Sequence, residues 1–589
     1  EFLDDVSWQR EPFASLNDAT YFHIHEGRWL RDRRYVHDYI RFMYESGGND
    51  RHFSEPIAAA AYDMFLIDLD RASVLRQLDV MKHIYRLWDD RLDFSKRLYW
   101  VEPLADATEY TISSIDASGG KDGFTGGQAF RPSINAYVYA NARALARLSE
   151  LAGDGAGSER FDALADGIRR EVDASLWNEG FIHYIDRYKV NNEFVRYWDW
   201  IRGRELVGYV PWAFNMPPDD ERHAAAWTHL LSPKELGGKA GPRTVEPSYP
   251  HYMRQFRYDW QTNLRECQWN GPTWPFQTTQ TLTGMANLLH DYHQNVVNRA
   301  DYLRLLIQYA ELHTRNGKLD LQEDYDPDTG APIVGLPRSH HYNHSGFVDL
   351  IISGLVGLRP RADNVVEVDP LIPPGSTTLT HLALQDVPYH GHLLTILYDA
   401  DGTRYGRGTG LHLYADGRLI AHRVDIGRLT ARLRPAAARP VVRRVNLAMN
   451  LVRGASPAPS ASVNPDPEML HKAVDGRVWF FPEMVNGWTN SGSRAPQDWF
   501  AVAFARRTKT VAAELAYFDD GKTLAPPAAQ RIEVLHAGQW TEPRTIAYGP
   551  ALANGITHVR WTQTDAEAVR VVLRSAPGKS VRLIEFKIF

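Results

Sequence analysis

Cysteine is almost absent: Cys267 is the only one among 589 residues. That excludes an internal disulfide framework and a zinc site built on cysteines. A nucleophilic Cys267 is disfavoured as well, because no histidine adjoins it in sequence and Arg265 is its one nearby cation. No apolar run approaches the roughly 20 residues of a membrane span, so membrane insertion is not expected. Excess positive charge is missing too. The net charge of −6 argues against a nucleic-acid partner. No repeat of fixed period is evident. The chain opens on Glu1 without an initiator Met or a signal-peptide pattern. It therefore reads as a trimmed or mature form of a secreted or periplasmic protein. Hydrophobic content of 44% and charged content of 23% are ordinary for a globular protein. Aromatic residues reach 12%, and many of the tryptophans fall in polar loops, which leans towards carbohydrate.

Apolar spacing predicts helices over residues 35–45, 56–69, 74–88, 133–151, 159–176, 277–290, 298–313 and 348–356. Residues 1–32 read as an irregular lead-in. Long polar, aromatic loops separate the helices, the longest over residues 177–260. Helical pairs alternating with long loops suggest a toroid of hairpins with function on the loops at one end. After Pro360 the pattern turns to short strands, such as residues 365–368, 393–397 and 411–414, with Asp401-Gly402 and Asp416-Gly417 turns. Proline- and alanine-rich stretches at 435–440 and 454–465 read as linkers. The division expected is a helical domain at 1–360, a small β-sandwich at 361–440 and a β-module at 455–589. The fold class is thus mainly α with all-β appendages.

One stretch organises the chain: Glu266-Cys267-Gln268-Trp269-Asn270-Gly271-Pro272-Thr273-Trp274-Pro275-Phe276. Amides, two Trp and two Pro around one Gly suit a rigid loop. Helical spacing follows at Leu282, Met285, Leu288 and Leu289, with Pro275 placed for the first turn. Indole faces pack on sugar C–H surfaces while amides read hydroxyls. Acidic residues lie in two further loops, Asp106-Ala-Thr-Glu109 and Asp320-Leu-Gln-Glu323-Asp324-Tyr325-Asp326-Pro327-Asp328. Inverting glycosidases need one protonated carboxyl for the leaving oxygen and one ionised carboxylate to activate water. Taken singly each acid reads as a solvated turn residue, and Asp324, Asp326 and Asp328 are assigned that role. The segment lacks the spacing of a calcium-binding EF-hand loop. His340, His341 and His344 invite a metal reading, but neighbouring histidines cannot all face one ion, so no metal is expected.

Four segments together resemble the mannosylglycerate-hydrolase-like glycosidases, which have an (α/α)6 toroid and are related to glycoside hydrolase family 63 and the trehalases. Asp106-Ala-Thr-Glu109-Tyr-Thr-Ile-Ser is similar to the Ser-Gly-Trp-Asp-x-Ser segment. Arg131-Pro-Ser-Ile-Asn135-Ala-Tyr137 is similar to Val-Asp-Leu-Asn-Ser/Ala-aromatic. Gln268-Trp-Asn-Gly-Pro-Thr-Trp-Pro275 resembles Trp-x-Gly-Pro-x-Trp-Pro, and Glu323-Asp-Tyr-Asp-Pro-Asp-Thr-Gly330 resembles Glu-x-Tyr-x-Pro-x-Thr-Gly. The likeness covers about residues 20–370. It implies Glu109 as general acid and Glu323 as general base, with no cofactor and an oligo- or polysaccharide as substrate. It also implies that Asn135, Gln268, Asn270, Tyr325, His341, Asn343 and His344 line the pocket with Trp269, Trp274, Trp198 and Trp212. Arg28, Trp29 and Asp32 are further candidates, although an Arg–Asp surface pair explains them as well. Relatives usually carry Asp where Glu109 stands, and the longer side chain moves the carboxyl by about 1.5 Å.

The C-terminal module, with Trp488, Trp499, Trp540 and a closing strand to Phe589, resembles a discoidin-like (coagulation factor 5/8 C-type) sandwich. That implies carbohydrate binding. The function expected is an inverting, exo-acting glycoside hydrolase acting on an α-glucoside, an α-mannoside or an arabinofuranoside. A β-L-arabinofuranosidase or rhamnosidase acting on plant or bacterial cell-wall glycans is a rival, since fold does not set substrate. Outside this class stand a polysaccharide lyase, a phosphorylase and a glycan-binding protein without catalysis.

Overall fold

The computed structural model describes residues 19–45, 55–315, 317–342, 346–436, 445–450, 455–480 and 486–589. It divides into two compact units, residues 2–438 and residues 439–589.

Helices dominate the first unit up to about residue 356. Ile57–Asp68 buries seven of its 12 residues, as expected of a run reading Ile-Ala-Ala-Ala-Ala-Tyr-Asp-Met-Phe-Leu. It packs against Pro132–Ala152, which in turn pairs with Gly155–Leu176. Pro132 opens its helix in the first turn, where a missing N–H costs nothing, and Gly153 closes it at φ 83°. Asp154 then caps the next helix by accepting from the Gly157 N–H. Pro275–Asp291 also begins on proline, and it packs on Arg299–Leu312, whose start carries a capping box between Asn298 and Asp301. Every residue from Pro132 to Ala140 is buried, as is every residue from Pro275 to Leu282. The first turns of both helices are therefore enclosed, and residues 129–131 and 266–274, which lead into them, are buried as well. Among the described residues no helix is long and apolar enough to cross a membrane.

Three expectations change. The lead-in contains a helix, Thr20–Gly27, which buries Tyr21, Phe22 and Ile24; without a side-chain cap it had no start signal. The helix expected over 74–88 divides at Gln77 into Arg71–Arg76 and Leu78–Leu87. The helix expected over 348–356 is largely a π-helical turn, Leu350–Leu355. There the Tyr302 hydroxyl donates to the Leu350 carbonyl at 3.0 Å, in a space left open by Gly354.

Strands follow within the same unit. Val365–Val368 pairs with Leu429–Arg432, and His381–Tyr389, His392–Asp399, Gly410–Ala415 and Arg418–Arg423 form an antiparallel meander. Their inward residues, among them Val387, Leu394, Ile396, Leu411 and Leu413, belong to one continuous core with the helices. The His390 N–H donates to the Ile67 carbonyl at 2.8 Å.

The second unit is antiparallel β. Asp498–Phe518 and Gly555–Arg574 form its spine, with register breaks between Ala503 and Thr508 and between Thr510 and Ala512. Such bulges bend long strands so that one ribbon covers a core from two directions. Trp488, Phe500, Val502, Leu515, Ile532, Val569 and Phe586 fill that core.

Candidate active site

The stretch 266–276 is a braced loop. Gln268 donates from Nε2 to the Arg254 carbonyl (2.6 Å) and to Asn270 Oδ1 (2.7 Å), and its Oε1 accepts the Phe256 N–H (3.0 Å). Asn270 donates to the carbonyls of His251 and Arg254, both at 2.8 Å. The Trp269 and Trp274 rings stack 3.7 Å apart, 12° from parallel, and the Trp274 indole N–H donates to the Gln268 carbonyl at 3.0 Å. Gly271 lies at φ 145°, where a Cβ would meet the Tyr252 ring at 2.7 Å.

This loop ties the two acids together. The Trp269 N–H donates to the Glu109 carbonyl at 3.2 Å. On its other side Thr273 and Tyr325 exchange backbone hydrogen bonds of 2.8 and 2.9 Å, which anchors the segment bearing Glu323. One loop thereby holds the segments that bear both acids. Glu109 is buried, and Cys267 Sγ donates to its Oε1 at 3.2 Å. Burial raises the Glu109 pKa above the ordinary carboxylate range, and the nearby Glu323 adds to the rise; the Cys267 thiol and Arg257 oppose it. Glu323 is also buried, and Ser339 Oγ donates to its Oε2 at 2.7 Å while the Glu323 N–H donates to the Ser339 carbonyl at 3.1 Å.

The other acid of the first segment is committed elsewhere. Asp106 accepts from Arg131 Nε at 3.3 Å and from Ser133 Oγ at 2.5 Å. Arg131, fully buried, also faces Asp186 at 2.7 Å and Glu205 at 3.3 Å. One cation among three buried carboxylates favours retention of a proton, and burial drives the pKa of both Asp186 and Glu205 upward. The cluster braces the Glu109 loop, because Glu205 also accepts the Ile112 N–H at 2.8 Å.

Several residues expected to read sugar hydroxyls are instead engaged with the protein. The amides of Gln268 and Asn270 bond to backbone and to each other, as above. Asn135 is fully buried and staples its helix to Tyr99 through that residue's N–H (2.9 Å) and carbonyl (2.8 Å), while also donating to the Arg131 carbonyl (2.8 Å). The Tyr325 hydroxyl donates to the Leu312 carbonyl at 2.9 Å and accepts the Gln322 N–H at 2.6 Å. Trp212 is core, packed on Trp227 and Tyr209 with no exposed surface. Trp198 lies against Phe130 with Lys96 and Arg187 over its ring, and no contact ties it to either acid.

Arg28 and Trp29 both donate to Asp349 at 2.8 Å, and Arg28 lines a separate cavity of about 430 Å³ with Tyr139 and Asn287. Tyr139 lies about two turns after Pro132, and Asn287 about three turns after Pro275. Asp32 pairs locally with Arg34. His341 packs beside Asp320, whose carboxylate accepts its N–H at 3.3 Å and also meets His340 Nδ1 at 2.7 Å. Among the described residues no group of three or more His, Cys, Asp or Glu has metal-binding geometry. Asn343 and His344 lie outside the described residues.

Asp324 is fully buried, not a solvated turn residue. Its Oδ1 accepts the Val334 N–H at 3.1 Å, and burial first and Glu323 second push its pKa well up. Asp326 does make the turn, accepting from the Asp328 and Thr329 N–H groups. Sequence reasoning missed Ser339 and the role of Cys267. The thiol stands one residue from the motif, whereas Ser339 carries no local signal because its partner is 16 residues away.

Two buried glutamates thus stand on segments held by one tryptophan-rich loop that leads into an enclosed helix. Residues 11–345 match the family model of the mannosylglycerate hydrolase MGH1-like glycoside hydrolase domain, and the chain belongs to that family. Among solved structures it is similar to one described as a sialidase, with 32% identity and a TM-score of 0.65, over 72% of this chain and 37% of that one. The chain thus spans little more than a third of that relative's length. A GH63 mannosylglycerate hydrolase from Thermus thermophilus in complex with glucose matches at 14% identity and a TM-score of 0.41, over 57% of this chain and 91% of that one. Chitosan-binding module 1 from a Paenibacillus sp. IK-5 chitosanase/glucanase matches at 20% identity and a TM-score of 0.19, over 25% of this chain and 99% of that one.

Proposed function

We propose that the chain is an inverting, exo-acting glycoside hydrolase with Glu109 as general acid and Glu323 as general base. One observation carries this reading: the two carboxyls, on segments held by one loop and near enough for Glu323 to act on Glu109, sit in different surroundings. Glu109 is held towards its protonated form by burial, which suits a group that must deliver a proton. Glu323 receives a hydroxyl donor from Ser339, a contact that favours a carboxylate able to activate water.

Exo action is supported by large side chains in the interior of the helical domain. Tyr21, Phe22, Tyr137, Phe276 and Gln280 are all buried, and Gln280 donates to the Tyr137 hydroxyl at 2.6 Å. A blind pocket takes a chain end, and an (α/α)6 toroid would provide one. The sugar proposed is an α-glucoside, an α-mannoside or an arabinofuranoside. The second unit is proposed to be a discoidin-like carbohydrate-binding module, which suits a secreted enzyme working on polymeric material.

The test is a panel of aryl glycosides carrying α-glucose, α-mannose, α-rhamnose and both arabinofuranose anomers. NMR of the first-formed product from each hit follows. Inversion on a single sugar is expected. Retention would overturn the two-carboxylate water mechanism, and ultraviolet-absorbing unsaturated products from a uronate polymer would replace hydrolysis with elimination.

A further inference from the structure

Residues 257–265 form a hairpin that none of the motifs absorbs. Tyr258 and Arg265 make an antiparallel bridge, and the Asp259 N–H donates to the Leu264 carbonyl at 2.9 Å. At the tip, Asp259 Oδ1 accepts the N–H groups of Gln261 (3.2 Å) and Thr262 (2.8 Å) and the Thr262 hydroxyl (2.7 Å), and Asn263 adopts φ 56°. Such a side-chain-closed turn has one shape. On it stands Trp260, 87% exposed, the most exposed large hydrophobic residue among those described. It makes no ring contact or hydrogen bond within the described residues, so it contributes little to folding.

The base of the hairpin touches the segment of Glu109 and the one that runs on to Ser339. Gln255 Nε2 donates to the Arg257 and Glu266 carbonyls at 2.7 and 2.8 Å, clamping the two strands together. The outgoing strand begins at Phe256, which stacks on Tyr110, the residue after Glu109, with centroids 5.8 Å apart. The returning strand leads into Cys267, the donor to Glu109. Leu264 lies against Gly335, in the segment that holds Asp324 through Val334 and runs on to Ser339. Arg257 on the outgoing strand acts electrostatically on Glu109, and Arg265 on the returning strand acts on Asp324, the neighbour of Glu323. Both strands thus join at the segment of Glu109, the proposed proton donor, through Tyr110 and Cys267. A leaving group departs on the side of the proton donor.

We propose that Trp260 is a stacking platform for the sugar ring on the leaving-group side of the scissile bond, so that the substrate is a saccharide chain and not a sugar joined to a small acid. This rests on the glycoside hydrolase reading above. An indole fixed on a rigid turn presents a flat apolar face at little conformational cost, which is how such a contact contributes binding.

The test compares two substrates that share the cleaved sugar found in the panel: its glycosyl fluoride, which has nothing to stack, and a disaccharide ending in that sugar. Trp260→Ala is expected to lower kcat/KM on the disaccharide about tenfold, mainly through KM, and to leave the fluoride unchanged. Trp260→Phe is expected to recover most of the loss. The fluoride rate doubles as a check that the fold is intact. Equal rates for Trp260→Ala and wild type on both substrates would overturn the platform alone, as would an equal fall on both. Failure of the wild-type enzyme to turn over either substrate would overturn the hydrolase reading and the platform with it.

Discussion

The thiol of Cys267 donates a hydrogen bond of 3.2 Å to Oε1 of Glu109, and both residues are buried. The contact joins the tryptophan-rich loop to the proposed acid at the reacting carboxyl itself, close to where the Trp269 N–H grips the Glu109 backbone. A thiol is a weak donor, so it steers the carboxyl without holding it firmly in its charged form. It lowers a pKa that burial has raised, and so it tunes the acid.

Cys267→Ala removes that donor. The Glu109 pKa then rises further, and the alkaline limb of the kcat/KM profile moves to higher pH. Cys267→Ser retains a donor and stays nearer to wild type. A full pH profile of both variants checks this, and an alkaline limb that does not move in Cys267→Ala would separate the thiol from the acid.

Glu109→Gln is expected to stabilise the protein while abolishing normal turnover. The folded pKa of Glu109 lies above its unfolded value of about 4.3. Its contribution to stability is therefore fully present below that unfolded value and is lost as pH rises through the folded one. At neutral pH the glutamine variant escapes the cost of the buried charge, and its melting temperature should rise by about 1–3 °C. The gain should vanish below about pH 4. Calorimetry at both pH values checks the sign.

Ser339→Ala deprives Glu323 of its hydroxyl donor. Hydrogen bonds to charged groups contribute about 1.5–3 kcal/mol, so kcat should fall about ten- to a hundredfold. The acidic limb of the profile should move to higher pH, because the carboxylate loses a contact that favours its charged form. Steady-state kinetics read both effects.

Gly271→Ala places a methyl group 2.7 Å from the Tyr252 ring in a backbone region that glycine favours. The loop must shift, and with it the Trp269 grip on Glu109. A fall in kcat of at least about tenfold is expected with the helical circular dichroism retained.

Much of this was legible in local pattern. The helices Pro132–Ala152 and Pro275–Asp291 were readable from apolar spacing and an N-terminal proline, and the strand Val365–Val368 from its valines. Thr20–Gly27 was not, because its helix rests on burial of Tyr21 and Phe22 and carries no cap. At the site, the motif order nominated the residues, but what each one contacts depended on where its polar group finds a partner. Asn135, Gln268 and Asn270 look like sugar readers in a linear string. In three dimensions their partners are the carbonyls of Tyr99, Arg254 and His251. Likewise Asp106 and Glu109 are near-equivalent in sequence, and Arg131 separates them by claiming only the first.

The division of labour between Glu109 and Glu323 is tested most directly by leaving-group dependence. With the sugar identified in the panel, kcat/KM is measured for Glu109→Gln and Glu323→Gln on a glycoside with a poor leaving group and on the 2,4-dinitrophenyl glycoside. Glu109→Gln should lose the first and keep much of its activity on the second, which departs without a proton. Glu323→Gln should lose both. The opposite pattern would exchange the two roles, and equal losses in both variants on both substrates would contradict an acid and a base acting on opposite sides of the bond.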